Sequence, residues 1–441
     1  MKPVVKPIDL TEIADSSAAG GGSRVSEVAG RLTGSEILKI AASIRELKAA
    51  GAEICDLTVG DFRPEQFRIP ELLREGIEQA LAAGQTYYPP SAGTPELRSA
   101  VRRYYERELG LRYPEASILV AGGARPLIYG TYRAVVDTGD KVVYPVPSWN
   151  NNHYTTMLGA RGVAVVSGPE HRFLPEPAAL IAEFPGARLV CLNSPLNPSG
   201  TAITEDGLRR ICEAVVDENR GRISRGERPL YLLYDHIYWT LCFGGVRHMT
   251  PPQLVPEMAR YTIFIDGISK AFAATGLRVG WGVGPVDVMK RMSAIIGHVG
   301  AWAPRPAQMA TAKLLDDPQA IEAYHSVIKV GISDRLERLH RGIQALRGRG
   351  LAIDSIPPMG AIYLTTQICP FGKTTPDGAV LRTNEDVRRY LLDRAGLGIV
   401  PFQAFGFPGD EGWFRLSVGA VSLEAIDAVL PRLGNALAAL S

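Results

Sequence analysis

Lysine is an unusual residue to find closing an apolar run. In "YTIFIDGISKAFAATGLRVGWG" Lys270 does so, and Arg278 follows eight residues later, after a loop of small side chains. A buried ammonium is costly unless it is paired, neutralised or covalently modified, so the position suggests a chemical use. Other apolar runs also end on polar residues. "SILV" leads into "AGGARP", whose small residues open a helix with free backbone N–H groups suited to a phosphate. "KVVYPVP" leads to Ser148 and Trp149, "RLVCL" to "NSPLNPSG" with Asn197, and "PLYLLY" to Asp235 and Tyr238. Together these offer a phosphate cradle, a flat aromatic, an amide, a carboxylate and a lysine, which is what a phosphorylated aromatic aldehyde requires.

The elements that must position them are legible between residues 117 and 284. Short apolar runs alternate with helix-like segments such as "RPLIYGTYRAVVD" and "EDGLRRICEAVVDENR". That alternation predicts a mainly parallel sheet covered by helices on both faces, with ligands beyond the carboxyl ends of the strands. A long helical pattern follows, through "VDVMKRMSAIIGHVG" and on to "SDRLERLHRGIQALRGRG", and residues 351–441 read as a smaller α+β unit. Upstream, "DSSAAGGGSR" is a flexible link, and "GSEILKIAASIRELKAAG" reads as a helix with a serine start.

The ordered set resembles the fold-type I, class I/II aminotransferases that use pyridoxal 5′-phosphate, and is most similar to the bacterial aspartate aminotransferase group. The resemblance runs from "LTVGDFRPEQFRIP" through "YYPPSAGTPELR", "NSPLNPSG", "YDHIY" and "SKAFAATGLRVGW" to "PFQAFG" and "WFRLSVG". It implies a mainly parallel seven-stranded sheet in a large domain (61–330), with a small α+β domain from 25–60 and 331–441, and an arm at 1–24. It makes Lys270 the Schiff-base lysine and general acid/base, Asp235 the partner of the pyridine nitrogen, and Asn197 and Tyr238 the partners of the ring oxygen. Trp149 would stack on the ring. Gly123, Ala124 and Arg125 (through their backbone), Ser269 and Arg278 would hold the phosphate. Tyr88 corresponds to the tyrosine that reaches the neighbouring subunit's phosphate, implying a homodimer with shared active sites. Arg415 would fork onto the substrate α-carboxylate, with Gly60 above the substrate.

The chain departs from the family around the distal substrate group. Ala124 stands where the bacterial group often has a lysine, His298 where the animal-type enzymes place an arginine, and Trp302 where a serine is common. Dicarboxylate specificity is therefore not expected, and Arg125, Arg305 and His298 stand as candidates for replacing the missing ligand. His153 and His236 read as structural. Taken singly, the bland readings are ordinary ones: a snorkelling lysine, a helix-capping aspartate, a turn asparagine, a core tryptophan. The ordered set favours the chemical reading. The expected reaction moves an amino group from an L-amino acid to a 2-oxo acid. The alternative is another carbanion reaction on the same cofactor: lyase, β/γ-replacement or ring-forming chemistry, for example on S-adenosylmethionine.

Composition excludes other classes. A formal net charge of +2 over 441 residues, with no basic cluster, gives no reason to expect nucleic acid as a partner. The five scattered cysteines have no metal-binding spacing, so no metal is expected, and they fit reduced, cytoplasmic thiols. No stretch approaches the roughly 20 apolar residues of a membrane span. An aminotransferase-like regulator would need an N-terminal DNA-binding domain, and no helix-turn-helix signal is present.

Overall fold

The computed structural model describes Leu10 and residues 25–34 and 36–441. The expected arm, Leu10 excepted, and the Ser35 helix start lie outside the described residues. Two compact units are distinguished, Met1–Thr33 and Gly34–Ser441. The first contributes a short helix, Glu27–Arg31, whose preceding Ser26 side chain accepts from the Ala29 amide. Everything that follows lies in the second.

Strand β1 is the short Cys55–Asp56. The large sheet comprises β2 (Ile118–Ala121), β3 (Lys141–Val146), β4 (Arg161–Val166), β5 (Ala187–Asn193), β6 (Tyr231–Asp235), β7 (Thr262–Gly267) and β8 (Gly280–Val283). Their spatial order is β2-β8-β7-β6-β5-β3-β4. The neighbours from β7 to β4 pair in parallel, whereas β8 is antiparallel to both β2 and β7. The expected mainly parallel seven-stranded sheet is what forms.

Strands β5 and β7 are buried along their whole length, as continuous apolar runs covered on both faces must be. Alternate residues feed opposite cores. Phe264 packs with Tyr105 and Trp281 on one face, while Ile263 and Ile265 pack with Tyr132 and Met292 on the other. The outermost strand β4 is largely exposed, as an edge strand is. The helix Glu205–Ser224 starts on Thr204, whose hydroxyl accepts from the Gly207 amide, and carries Glu205 and Asp206 in its first turn.

The long helical pattern after the sheet is broken where the sequence alone suggested continuity. Helices Val286–Val299, Arg305–Leu315 and Pro318–Gly348 are separate. Gly300 ends the first in the left-handed region at φ 72°, Pro304 precedes the second, and Asp317 caps the third by accepting from the Ala320 amide. Terminators set inside an apolar periodicity are easily read through.

The remaining strands are β9 (Ile353–Ser355), β10 (Tyr363–Ile368), β11 (Leu397–Gly398), β12 (Val400–Pro401) and β13 (Trp413–Ser417). They form an antiparallel sheet ordered β12-β13-β10-β9, while β11 pairs in parallel with β1. In the β10–β13 ladder Tyr363 faces Ser417 and Thr365 faces Arg415.

Candidate active site

Because β8 runs against β7, its start lies at the rim where β2, β5, β6 and β7 end. Gly280 is opposite both Gly267 and Ala121. This reversal brings Arg278, just before β8, to the same edge as Lys270, just after β7. A side chain at Gly280 would strike the Gly123 carbonyl carbon at 2.7 Å, so close backbone contact demands glycine there.

The rim opens into a cavity of about 510 Å³, within the usual size of small-molecule sites. Gly60, Ala124, Arg125, Trp149, Asn197, Asp235, Tyr238, Ser269, Lys270, Arg278 and Arg415 all line it. Gly123 stands at its edge as the residue preceding helix Ala124–Val135, with φ 96°. Tyr88 does not line this cavity; it is 82% exposed and meets the Trp302 ring edge-on at 5.4 Å.

Lys270 sits on the helical turn Ile268–Ala271, and its Nζ donates to the Gly60 carbonyl at 2.5 Å. Burial pushes its pKa down to about 8; the Arg415, Arg278 and Arg125 charges press the same way and Asp61 opposes. Nearby, the Asp61 carboxylate accepts from the Thr275 hydroxyl and from the Phe62 amide. Asp235 accepts from the Ile237 amide at 3.1 Å, and burial pushes its pKa up to about 6. Its carboxylate thus lacks a cationic neighbour strong enough to offset desolvation.

Arg415 is 1% exposed and has no carboxylate partner among the described residues. Its Nη1 donates to Asn197 Oδ1 at 3.1 Å and its Nη2 to the Thr58 carbonyl, while Nε finds no partner. Tyr363 and Phe405 flank the guanidinium, their ring centres 4.7 and 4.8 Å from it. The Arg125 guanidinium lies over the Trp149 ring at 5.2 Å. Arg278 bridges the Thr275 and Gly122 carbonyls.

Among these lining residues four cations (Arg125, Lys270, Arg278, Arg415) outnumber two carboxylates (Asp61, Asp235). The excess is directional. Arg278 and the opening of helix Ala124–Val135 lie together at one side, and a Cβ at Gly123 would fall 2.2 Å from Arg278 Nη2. That is a cradle for an anion. An under-compensated acid, Asp235, and an amine whose pKa burial lowers, Lys270, face the same space. A phosphorylated pyridine aldehyde would fit this donor set, with its anion at the cradle, its ring nitrogen at Asp235 and its carbonyl at Lys270.

Of the three candidates for a distal anion ligand, only Arg125 lines the cavity. His298 is exposed, and Arg305 is held by Gln85 and lies over the Tyr87 ring.

Several cavity residues were not anticipated. Asn193, at the end of β5, donates to the Asp235 carbonyl and accepts from the Asn197 amide, fixing both neighbours. The sequence does carry a signal for it, since "CLNSPLN" holds two amides, of which Asn197 is the second. Ile37, Leu38 and Ala41, from helix Glu36–Ala49, and Ile128 supply an apolar wall. Tyr363 bonds the Tyr238 hydroxyl; nothing local distinguishes it from a core tyrosine.

The comparison with known proteins points to one family. The model of the family described as aminotransferase class I and II matches residues 52–433. An aspartate aminotransferase of Rhizobium meliloti is 31% identical over 406 residues, covering 90% of this chain and 92% of its own. A probable aspartate/prephenate aminotransferase of Thermus aquaticus is 32% identical over 400 residues, covering 89% and 94%. Among solved structures, an aspartate aminotransferase from Rhizobium meliloti superposes with a TM-score of 0.85 at 29% identity, over 95% of this chain and all of its own. The Thermus thermophilus aspartate aminotransferase with maleate gives 0.83 at 28%, over 94% of this chain. By the extent of these matches, the chain belongs to the class I and II aminotransferase family.

Proposed function

We propose that this protein transfers the amino group of an L-amino acid to a 2-oxo acid, using pyridoxal 5′-phosphate bound in the cavity described. The observation that carries the reading is the convergence of a buried, pKa-depressed Lys270 and a buried, pKa-raised Asp235 on one space beside an anion cradle. When bound, the cofactor supplies an electron sink that stabilises negative charge at the substrate α-carbon.

The protein's own residues divide the remaining work. Lys270 Nζ, near pKa 8, is partly neutral at physiological pH and takes the α-proton. Asp235 holds a proton on the ring nitrogen. Asn197 and Tyr238 hold the ring oxygen, and Trp149 covers the ring. The amides at Gly123–Arg125, with Ser269 and Arg278, hold the phosphate. Arg415 grips the α-carboxylate, and Gly60, already bonded to Lys270, lies beside it.

Lyase, replacement or ring-forming chemistry would draw on the same residues; the amino-transfer names of the relatives favour transamination. For the donor, the proposal is that dicarboxylates are not strongly preferred. Ala124 carries no charge, and Ile37, Leu38 and Ile128 suit a larger apolar side chain. A homodimer is supported by the exposed Tyr87, Tyr88 and Val299. We further propose a large domain over 61–330 and a small one from 25–60 and 331–441, the second boundary falling within helix Pro318–Gly348. Among the described residues no helix is long and apolar enough to cross a membrane. The free cysteines support a cytoplasmic location.

The test is a half-reaction. Amino acid added without acceptor must change the cofactor absorbance and release one equivalent of 2-oxo acid, and Lys270→Ala must abolish both. Aspartate, glutamate, phenylalanine, alanine and S-adenosylmethionine form the donor panel. Failure of every donor would remove the transamination reading. A clear aspartate and glutamate preference lost in Arg125→Ala would overturn the proposed specificity.

A further inference from the structure

Tyr363 opens β10 and is 1% exposed. Its hydroxyl lies 2.5 Å from the Tyr238 hydroxyl, with the rings edge-on at 73°. One face of its ring carries the Arg415 guanidinium at 4.7 Å. The β10–β13 register makes this contact, since Tyr363 opposite Ser417 is the diagonal neighbour of Arg415. A Cβ placed on Gly60 would come 2.6 Å from the Tyr363 oxygen, so the hydroxyl lies against the backbone whose carbonyl holds Lys270. One buried phenol thus touches the carboxylate fork, the ring-oxygen tyrosine and the segment that positions the lysine.

The direction of the hydroxyl pair follows from what Tyr238 must do. A phenol has one proton to donate. If Tyr238 gives its proton to the cofactor's ring oxygen, it must accept from Tyr363. Donation from Tyr363 polarises the Tyr238 O–H and strengthens its outgoing bond, and the cation on the Tyr363 ring makes that phenol a better donor.

We propose that Tyr363 is a positioning residue that acts through Tyr238, tuning the hydrogen bond Tyr238 gives to the cofactor while its ring seats Arg415. This rests on the cofactor reading above. The charged and titratable groups facing the pair are Arg415 on β13, Asp235 at the end of β6, Asp61 on the loop after Gly60, and Lys270 after β7.

The experiment is a double-mutant cycle on the cofactor-loaded protein, read by the pH midpoint of its visible absorbance. Weakening a donor to the ring oxygen leaves that oxygen freer to hold the proton on the neighbouring nitrogen, so the midpoint rises. Tyr363→Phe is expected to raise it by about 0.1–0.6 pH unit, and to do nothing in a Tyr238→Phe background. No rise in the wild-type background, or an equal rise in both, overturns the proposal. Tyr363→Leu, which removes the ring, is expected to raise KM for every amino donor at least about fivefold more than Tyr363→Phe; equal KM values would refute the seating of Arg415. Wild-type protein that gains no visible absorbance with pyridoxal 5′-phosphate would instead defeat the cofactor reading itself.

Discussion

Replacing Arg415 with methionine separates what this residue does for substrate from what it does for the fold. The guanidinium is buried with two hydrogen bonds, to Asn197 and the Thr58 carbonyl, and two ring faces, and its Nε has no partner. Burial accordingly pushes its pKa down. Methionine of similar length fills the space and removes the desolvated charge, but leaves two oxygens without a donor, each costing about 1–3 kcal/mol. These effects oppose one another, so the melting temperature of the ligand-free protein is expected to change little. Substrate binding has no such offset. A carboxylate brought into a closed, dry site without its fork loses about 3–5 kcal/mol, which is about a 10²- to 5 × 10³-fold fall in kcat/KM. Every α-amino acid presents the same carboxylate, so the fall should be equal for aspartate, alanine and phenylalanine. Arg415→Lys keeps charge but not the planar fork and should fall between. A loss confined to aspartate would mean that Arg415 serves the distal group, and a loss under fivefold for all donors would refute the assignment.

Two further perturbations test the rim and the layer beneath it. Gly123→Ala places a Cβ against Arg278 at a backbone angle that L-residues avoid; cofactor affinity should weaken at least about tenfold by fluorescence titration while the circular dichroism spectrum stays native, and unchanged affinity would exclude the cradle. Asp266, buried near the end of β7, accepts from Tyr105, Trp239 and the Gly267 amide, yet burial pushes its pKa from 3.8 to about 7. An acid raised on folding binds its proton more tightly in the native state, so it lowers stability as pH rises between those values, by up to about 4 kcal/mol. Asp266→Asn should gain on wild type in urea melts from pH 5 to pH 8, and parallel profiles would refute this; His236 and His248, pushed down by burial, stay neutral over that window in both proteins.

What could be read from the chain depended on how local each determinant is. A strand buried on both faces must be a continuous apolar run, so β5, β6 and β7 announce themselves, and polar residues that follow these runs fall at the rim: Asn197 after β5, Asp235 ending β6 and, past Gly267, Lys270 after β7. The reversal of β8 is different. Nothing in "RVGWGVG" states its direction, yet that direction alone turns Arg278 toward Lys270; its role was reached through the resemblance, and spacing could not have supplied it. Tyr363 marks the limit. Its partner Tyr238 is 125 residues away, and its seat beneath Arg415 depends on the β10–β13 register, which a single-residue slip would turn to the opposite face. A residue whose chemistry is created by another strand's register has no signature of its own, and at this site the least legible residue is the one touching the most machinery.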